Sequence, residues 1–160
     1  MDIFEYAMQM EKDGEKYYRQ TAEYITNKGL KTILTMLADD EVRHFNAIKE
    51  MRAAEPDMPA ATILTDAVNI FTQMRGANES FNFNIKQTEM YRMAQDIEER
   101  SRQFYMDQAE KVELDYQKKL FLRLADEEKK HFLLLENMID FVSRPEQWLE
   151  NAEFCHLEEY

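Results

Sequence analysis

Apolar positions recur at helical spacing in four long stretches of this chain. Over about 3–26 the seam reads Phe4, Met8, Glu11, Glu15, Tyr18, Ala22, Ile25. Over about 30–53 it reads Leu30, Leu34, Leu37, Glu41, His44, Ile48, Met51. Over about 88–113 it reads Tyr91, Ala94, Glu98, Ser101, Tyr105, Ala109, Val112, and over about 116–142 Gln117, Phe121, Leu124, Glu128, His131, Leu135, Met138. Steps of three and four gather each set on one face of a helix. Asn27, Lys28 and Gly29 separate the first pair, with Gly29 expected as a left-handed cap. The region of Pro56 and Pro59 stops the second helix. Residues 54–87 then form a long connection with a short helix over about 63–74, ended near Gly76. A connection that long lets the second and third helices run parallel. Thr88 is the expected N-cap of the third helix. Ser143, Arg144 and Pro145 end the fourth, and Pro145 suits the first turn of a short fifth helix to about residue 154. The pattern predicts one all-α domain over 1–160, a four-helix bundle over 3–142 with a C-terminal extension over 143–160.

The polar residues that interrupt these seams are the same in both halves. Glu11, Glu41 and His44 recur 87 residues later as Glu98, Glu128 and His131. Over 4–51 against 91–138, without a gap, thirteen positions are identical, among them Ala7/Ala94, Tyr18/Tyr105, Leu37/Leu124, Asp39/Asp126 and Phe45/Phe132. Chance would give roughly three at ordinary composition. The chain therefore reads as a duplicated helical hairpin. Two copies are too few to stack and cap as a solenoid.

An ionised carboxylate in an apolar seam is costly unless it is paired or metal-bound, and four in one core repel each other. Two divalent cations neutralise four carboxylates, and two neutral imidazoles complete the set. In each second helix of the duplicated pair, a Glu three residues before a His shares its face. Glu11, Glu41, His44, Glu98, Glu128 and His131 are therefore candidate metal ligands and candidate catalytic residues. Mixed oxygen and nitrogen ligation suits iron best, then manganese, with zinc as a substitute. The competing explanation is that these are solvated helix residues. The unrepeated pair Glu153 and His156 is read that way, as a coincidence. Asp40 and Glu127 each lie four residues before a candidate His, where either can accept from the imidazole of the opposite hairpin. Tyr18 and Tyr105 lie seven residues after Glu11 and Glu98, where a phenol can reach a carboxylate across the bundle. Solvated acids and plain core tyrosines are the alternatives.

Charge and composition narrow the partners. A net charge of −12 argues against nucleic acid and against an anionic membrane surface. The longest apolar run, Phe132 to Leu135, is far short of the roughly 20 residues of a membrane span. No secretory leader is expected, since amphipathic helix begins by Ile3. The single cysteine, Cys155, allows no internal disulfide and no iron site of four thiolates from these residues. A reducing, cytoplasmic compartment is the expectation. The eleven methionines fit the role of core gap-fillers. Trp148, Phe154 and Tyr160 suit docking of the tail on the bundle or on a second subunit.

The segments Glu11…Tyr18, Glu41-Val42-Arg43-His44, Glu98…Tyr105 and Glu128-Lys129-Lys130-His131 carry a resemblance. Through them, 3–142 resembles the rubrerythrin-like branch of the ferritin-like di-iron carboxylate superfamily. The resemblance implies a ferritin-like bundle with its long crossover between helices 2 and 3. It also implies a cofactor of two iron ions that reacts with hydrogen peroxide or dioxygen, usually by reducing peroxide to water. Rubrerythrins proper have a further glutamate three residues after the third-helix ligand. Here that position is Ser101, Gly14 is its match in the first helix, and Glu15, one residue on, is a candidate outer carboxylate. No rubredoxin domain is present to feed electrons, so an external electron-donor protein is expected, and a homodimer. Three functions stay open: a peroxide-reducing oxidoreductase, a ferroxidase or iron-handling protein, and a metal-stabilised interaction module without turnover.

Overall fold

A computed structural model describes residues 2–55, 58, 61–76 and 85–144. Among them are five helices and no strand: α1 (Ile3–Tyr24), α2 (Lys28–Met51), α3 (Ile63–Gly76), α4 (Ile85–Lys111) and α5 (Asp115–Ser143). The expected fifth helix beyond residue 145 lies outside the described residues, with Trp148, Glu153, Phe154, Cys155, His156 and Tyr160.

Local chemistry sets the helix ends. Asp2 accepts from the backbone N–H of Glu5 at 2.8 Å while the Glu5 side chain accepts from the Asp2 N–H at 3.2 Å, a reciprocal cap for α1. Arg52, at the end of α2, pairs with Asp2 and so ties the open ends of the first hairpin. α1 stops at Tyr24 because Ile25 is extended (φ −85°, ψ 131°). α2 then starts at Lys28, with the Asn27 side chain accepting from the Leu30 N–H at 2.9 Å. The expected left-handed cap at Gly29 is therefore corrected. Gly29 sits in the first turn of α2, and a Cβ there would collide with Met74 of α3, within 2.7 Å of its Cγ. Close approach of two helices requires this glycine, not a turn. Thr88 is likewise no cap: α4 begins three residues earlier, and Thr88 is buried in its first turn. Gly76 closes α3 as its last residue.

α1 packs on α2 and α4 on α5 as two antiparallel hairpins, and α3 lies against α2 and α5. Side-chain pairs give the directions across the bundle. Tyr18 and Glu11 of α1 meet Glu98 and Tyr105 of α4, in opposite chain order. Asp40 and His44 of α2 meet His131 and Glu127 of α5, again reversed. α2 and α4 therefore run parallel, the ferritin-like arrangement that the long crossover allows.

Two apolar clusters plug the bundle. One gathers Tyr18, Leu34, Leu37, Phe71, Tyr91, Leu135 and Phe141 at the end covered by α3. The other gathers Ala7, Ile48, Met51, Tyr105, Phe121 and Leu124 at the opposite end. Between them lies a slab of buried polar side chains. Among the described residues no helix is long and apolar enough to cross a membrane.

Candidate metal centre

Glu11, Glu41, His44, Glu98, Glu128 and His131 all reach this slab, none more than 4% exposed. α1 and α4 supply one glutamate each; α2 and α5 each supply a glutamate and, less than a turn later, a histidine. Their ligand atoms form two groups, each with all its atoms within 4.8 Å of one another. The first is Glu11, Glu41, His44 and Glu128; the second is Glu41, Glu98, Glu128 and His131. Glu41 and Glu128 belong to both.

The imidazoles are oriented from behind. His44 Nε2 lies 2.9 Å from Glu127 Oε1, and His131 Nε2 lies 2.9 Å from Asp40 Oδ2, so each acid serves the ring of the opposite hairpin. With the Nε2 hydrogen donated to a carboxylate, the Nδ1 lone pair is the one left for a ligand. Nδ1 of His131 faces Glu41 at 3.2 Å and Glu98 and Glu128 at 3.3 Å. Nδ1 of His44 faces Glu11 at 3.5 Å and Glu128 at 3.6 Å. Tyr18 donates to Glu98 and Tyr105 donates to Glu11, each binding one carboxylate oxygen.

Among the described residues, six buried atoms at the centre find no hydrogen-bond partner: Glu11 Oε2, Glu41 Oε1, both oxygens of Glu128, and Nδ1 of His44 and His131. An unsatisfied buried polar atom costs about 1–3 kcal/mol, more when charged. Six that converge on one another are what a metal-binding donor set looks like, and oxygen with imidazole nitrogen fits iron.

The electrostatics agree. Burial pushes Glu41 well above the usual carboxylate range, and the negative neighbours Glu11, Glu128 and Glu98 add to it. Burial, with Glu98 and Glu11, brings Glu128 up to about 8. Glu11 and Glu98 also lose solvation, but the facing His44 and His131 outweigh this and hold them below the ordinary value. Burial likewise opposes charge on both histidines, yet the surrounding carboxylates push both well up. Burial opposes ionisation of Asp40, but its hydrogen bond to His131 takes it down to about 2. These shifts favour protonation of Glu41, Glu128, His44 and His131, and a bound cation would compete with those protons.

A third group, Asp40, His44 and His131, lies on the outer side of the rings. Arg43 already places a fixed cation there, paired with Glu127 and 3.4 Å from Asp40. Arg43 is the functional residue that sequence reasoning missed. Its signal was present, since it stands inside the Glu41–His44 motif and three residues after Asp40.

Other expectations change. Glu15 does not face the cavity; it pairs with Arg19 at 2.8 Å on the outer side of α1. One residue of helix turns a side chain by about 100°, and Gly14 is the position that points inward. A Cβ at Gly14 would come 2.9 Å from Glu41 Oε2, so the bare backbone gives that carboxylate room. Ser101, its repeat equivalent, is buried. Asp39 and Asp126 face solvent and pair with Arg19 at 3.0 Å and Lys130 at 3.2 Å.

The rubrerythrin family model matches residues 2–139, and a second match covers 89–153. The chain belongs to the rubrerythrin family. A solved structure of a hypothetical protein from Pyrococcus furiosus is similar at a TM-score of 0.61 and 19% identity, over 88% of each chain. At that identity the likeness speaks for the fold alone. No curated protein matches the sequence. Membership of that family suggests a di-iron carboxylate protein, and the buried carboxylate–histidine groups are compatible with metal binding.

Proposed function

We propose that this rubrerythrin-family chain is a non-haem di-iron oxidoreductase that reduces hydrogen peroxide with electrons from an external donor protein. The observation that carries the proposal is the pair of four-residue groups that share Glu41 and Glu128, with six unpartnered donor atoms between them. Glu11 and Glu98 would each hold one metal from the side; Glu41 and Glu128 would bridge; His44 and His131 would close the set through Nδ1. Manganese is the next best occupant for these donors, and zinc a substitute. Two ferrous ions, when bound, supply the two electrons that take peroxide and two protons to two waters.

The chain's own residues keep the donors aimed and dry. The apolar plugs exclude water from both ends of the slab. Tyr18 and Tyr105 are held protonated, far above the ordinary phenol value, chiefly by burial and by the carboxylates they serve. Each keeps its hydrogen on Oη toward Glu98 or Glu11. Asp40 and Glu127 hold both Nε2 hydrogens. These 160 residues carry one cysteine, so a rubredoxin-type site is not among them, and the proposal takes its reductant from an external donor. We read the chain as a single domain that works as a homodimer.

Ser101, in place of the further glutamate of rubrerythrins proper, favours a second reading as a ferroxidase that uses dioxygen. Stopped-flow absorbance of the anaerobic two-iron protein tests both. Oxidation much faster with peroxide than with dioxygen supports the peroxidase; the reverse order supports the ferroxidase and overturns the peroxidase. No rapid oxidation by either would leave only the interaction module.

A further inference from the structure

Arg43 has a place in this network that the duplication does not repeat. Its Nη2 pairs with Glu127 Oε1, the same oxygen that lies 2.9 Å from His44 Nε2. Its Nε and Nη2 each lie 3.4 Å from Asp40 Oδ1, while the other oxygen of Asp40 lies 2.9 Å from His131 Nε2. One guanidinium thus touches both acids that orient the two imidazoles. The repeat equivalent, Lys130, instead pairs at 3.2 Å with Asp126, four residues back on its own helix. Asp126 is 61% exposed, whereas Glu127 is 3% and Asp40 17% exposed.

The residue type suits the task. A planar guanidinium presents several donors in a fixed fork and can grip two carboxylates at once; an ammonium is a single point charge on a flexible stem. Acids behind metal-bound histidines set ring orientation and ligand strength. Two such acids held by one cation cannot shift independently.

We propose that Arg43 is a positioning residue that ties His44 and His131 into one unit, so that the two metal positions are set together. This rests on the reading that the cavity holds two metals. Without Arg43, Asp40 keeps His131, and Glu127 keeps His44 and the more distant Arg123 at 3.7 Å, but the link between the two acids is gone and the aim of Nδ1 loosens at both positions.

Cobalt(II) titration tests this, followed by visible ligand-field absorption and by calorimetry, with far-UV circular dichroism to check helix content. Asp40→Asn should weaken one bound equivalent, through His131, and Glu127→Gln the other, through His44. Arg43→Gln should weaken both equivalents, by about 10–100-fold. Arg43→Lys should recover only part of the loss, and Lys130→Gln should bind as the unaltered protein does. An Arg43→Gln protein that loses affinity at one equivalent only, or at neither, would overturn the proposal. If Arg43→Gln does not fold, Arg43→Lys decides: unaltered affinity at both equivalents would overturn it. An unaltered protein that takes up no cobalt would overturn the metal reading itself, a separate and recognisable failure.

Discussion

Tyr105 of α4 donates its hydroxyl hydrogen to Glu11 of α1 and leaves the second oxygen of that carboxylate facing Nδ1 of His44 at 3.5 Å in the cavity. The phenol therefore fixes which oxygen of Glu11 is available. Tyr105→Phe removes the donor without removing the ring, which also stacks on Phe121 at 5.9 Å between centroids. A buried carboxylate oxygen is then left unsatisfied, at a cost of about 1–3 kcal/mol. Thermal unfolding of the metal-loaded variant should show that loss, with helix content unchanged.

Chelator-treated protein should respond to pH in a direction set by the raised groups. Burial, with the carboxylates around it, brings Glu128 up to about 8 and Glu41 well above its ordinary 4.5, so between those values the folded state binds more protons than the unfolded chain. The stability they contribute is present at low pH and falls as pH rises toward 8. His44 and His131, raised well above 6.5 against their burial by the facing carboxylates, act in the same sense. Asp40, lowered to about 2 because its bond to His131 outweighs burial, acts oppositely, and its contribution is lost only in strong acid. The chelated protein should therefore melt at a higher temperature near pH 6 than near pH 8. Metal added near pH 7 should release protons. Calorimetry in buffers of different ionisation enthalpy measures that release, and a null result would contradict the raised values.

Gly14→Ala separates metal affinity from fold stability. In a helix interior alanine is favoured over glycine by about 1 kcal/mol. The new Cβ, however, falls 2.9 Å from Glu41 Oε2 and must push that carboxylate aside. The variant should bind metal more weakly than the unaltered protein while its chelated form is no less stable. Paired metal titration and thermal melts check this.

Phe71→Ala should do the reverse. Phe71, on the inward face of α3, is fully buried in the apolar cluster at that end, 5.9 Å from Phe141, and belongs to neither ligand group. Truncation of a buried phenylalanine costs about 3–5 kcal/mol. Chemical denaturation should register the loss, while metal stoichiometry at low temperature stays unchanged.

The meeting of the ligand side chains was legible because two independent patterns agreed: helical spacing put each on an inward face, and the repeat put each there twice. Pairs across the bundle, Asp40 with His131 and Tyr18 with Glu98, followed once the hairpins were taken as antiparallel. Helix ends were less legible. Asn27 caps through its side chain, and the glycine two residues on looked like the cap, though its reason is Met74 on a helix distant in sequence. Glu15 was misplaced by one residue, which on a helix is a different face. Arg43 escaped because its significance depends on Asp40 and Glu127, carried by different hairpins, lying close enough for one side chain to reach both.

Each four-residue group draws three members from one half of the chain and the fourth from the other: Glu128 completes the first, and Glu41 completes the second. A lone hairpin of this kind holds an unfinished donor set and can complete it only by finding a second hairpin. Joining the two through α3 makes that encounter intramolecular, independent of protein concentration. It also releases the halves from identity. Where two separate copies of one gene product would have to carry the same residue on both sides, this chain has glycine opposite serine at 14 and 101, and arginine opposite lysine at 43 and 130.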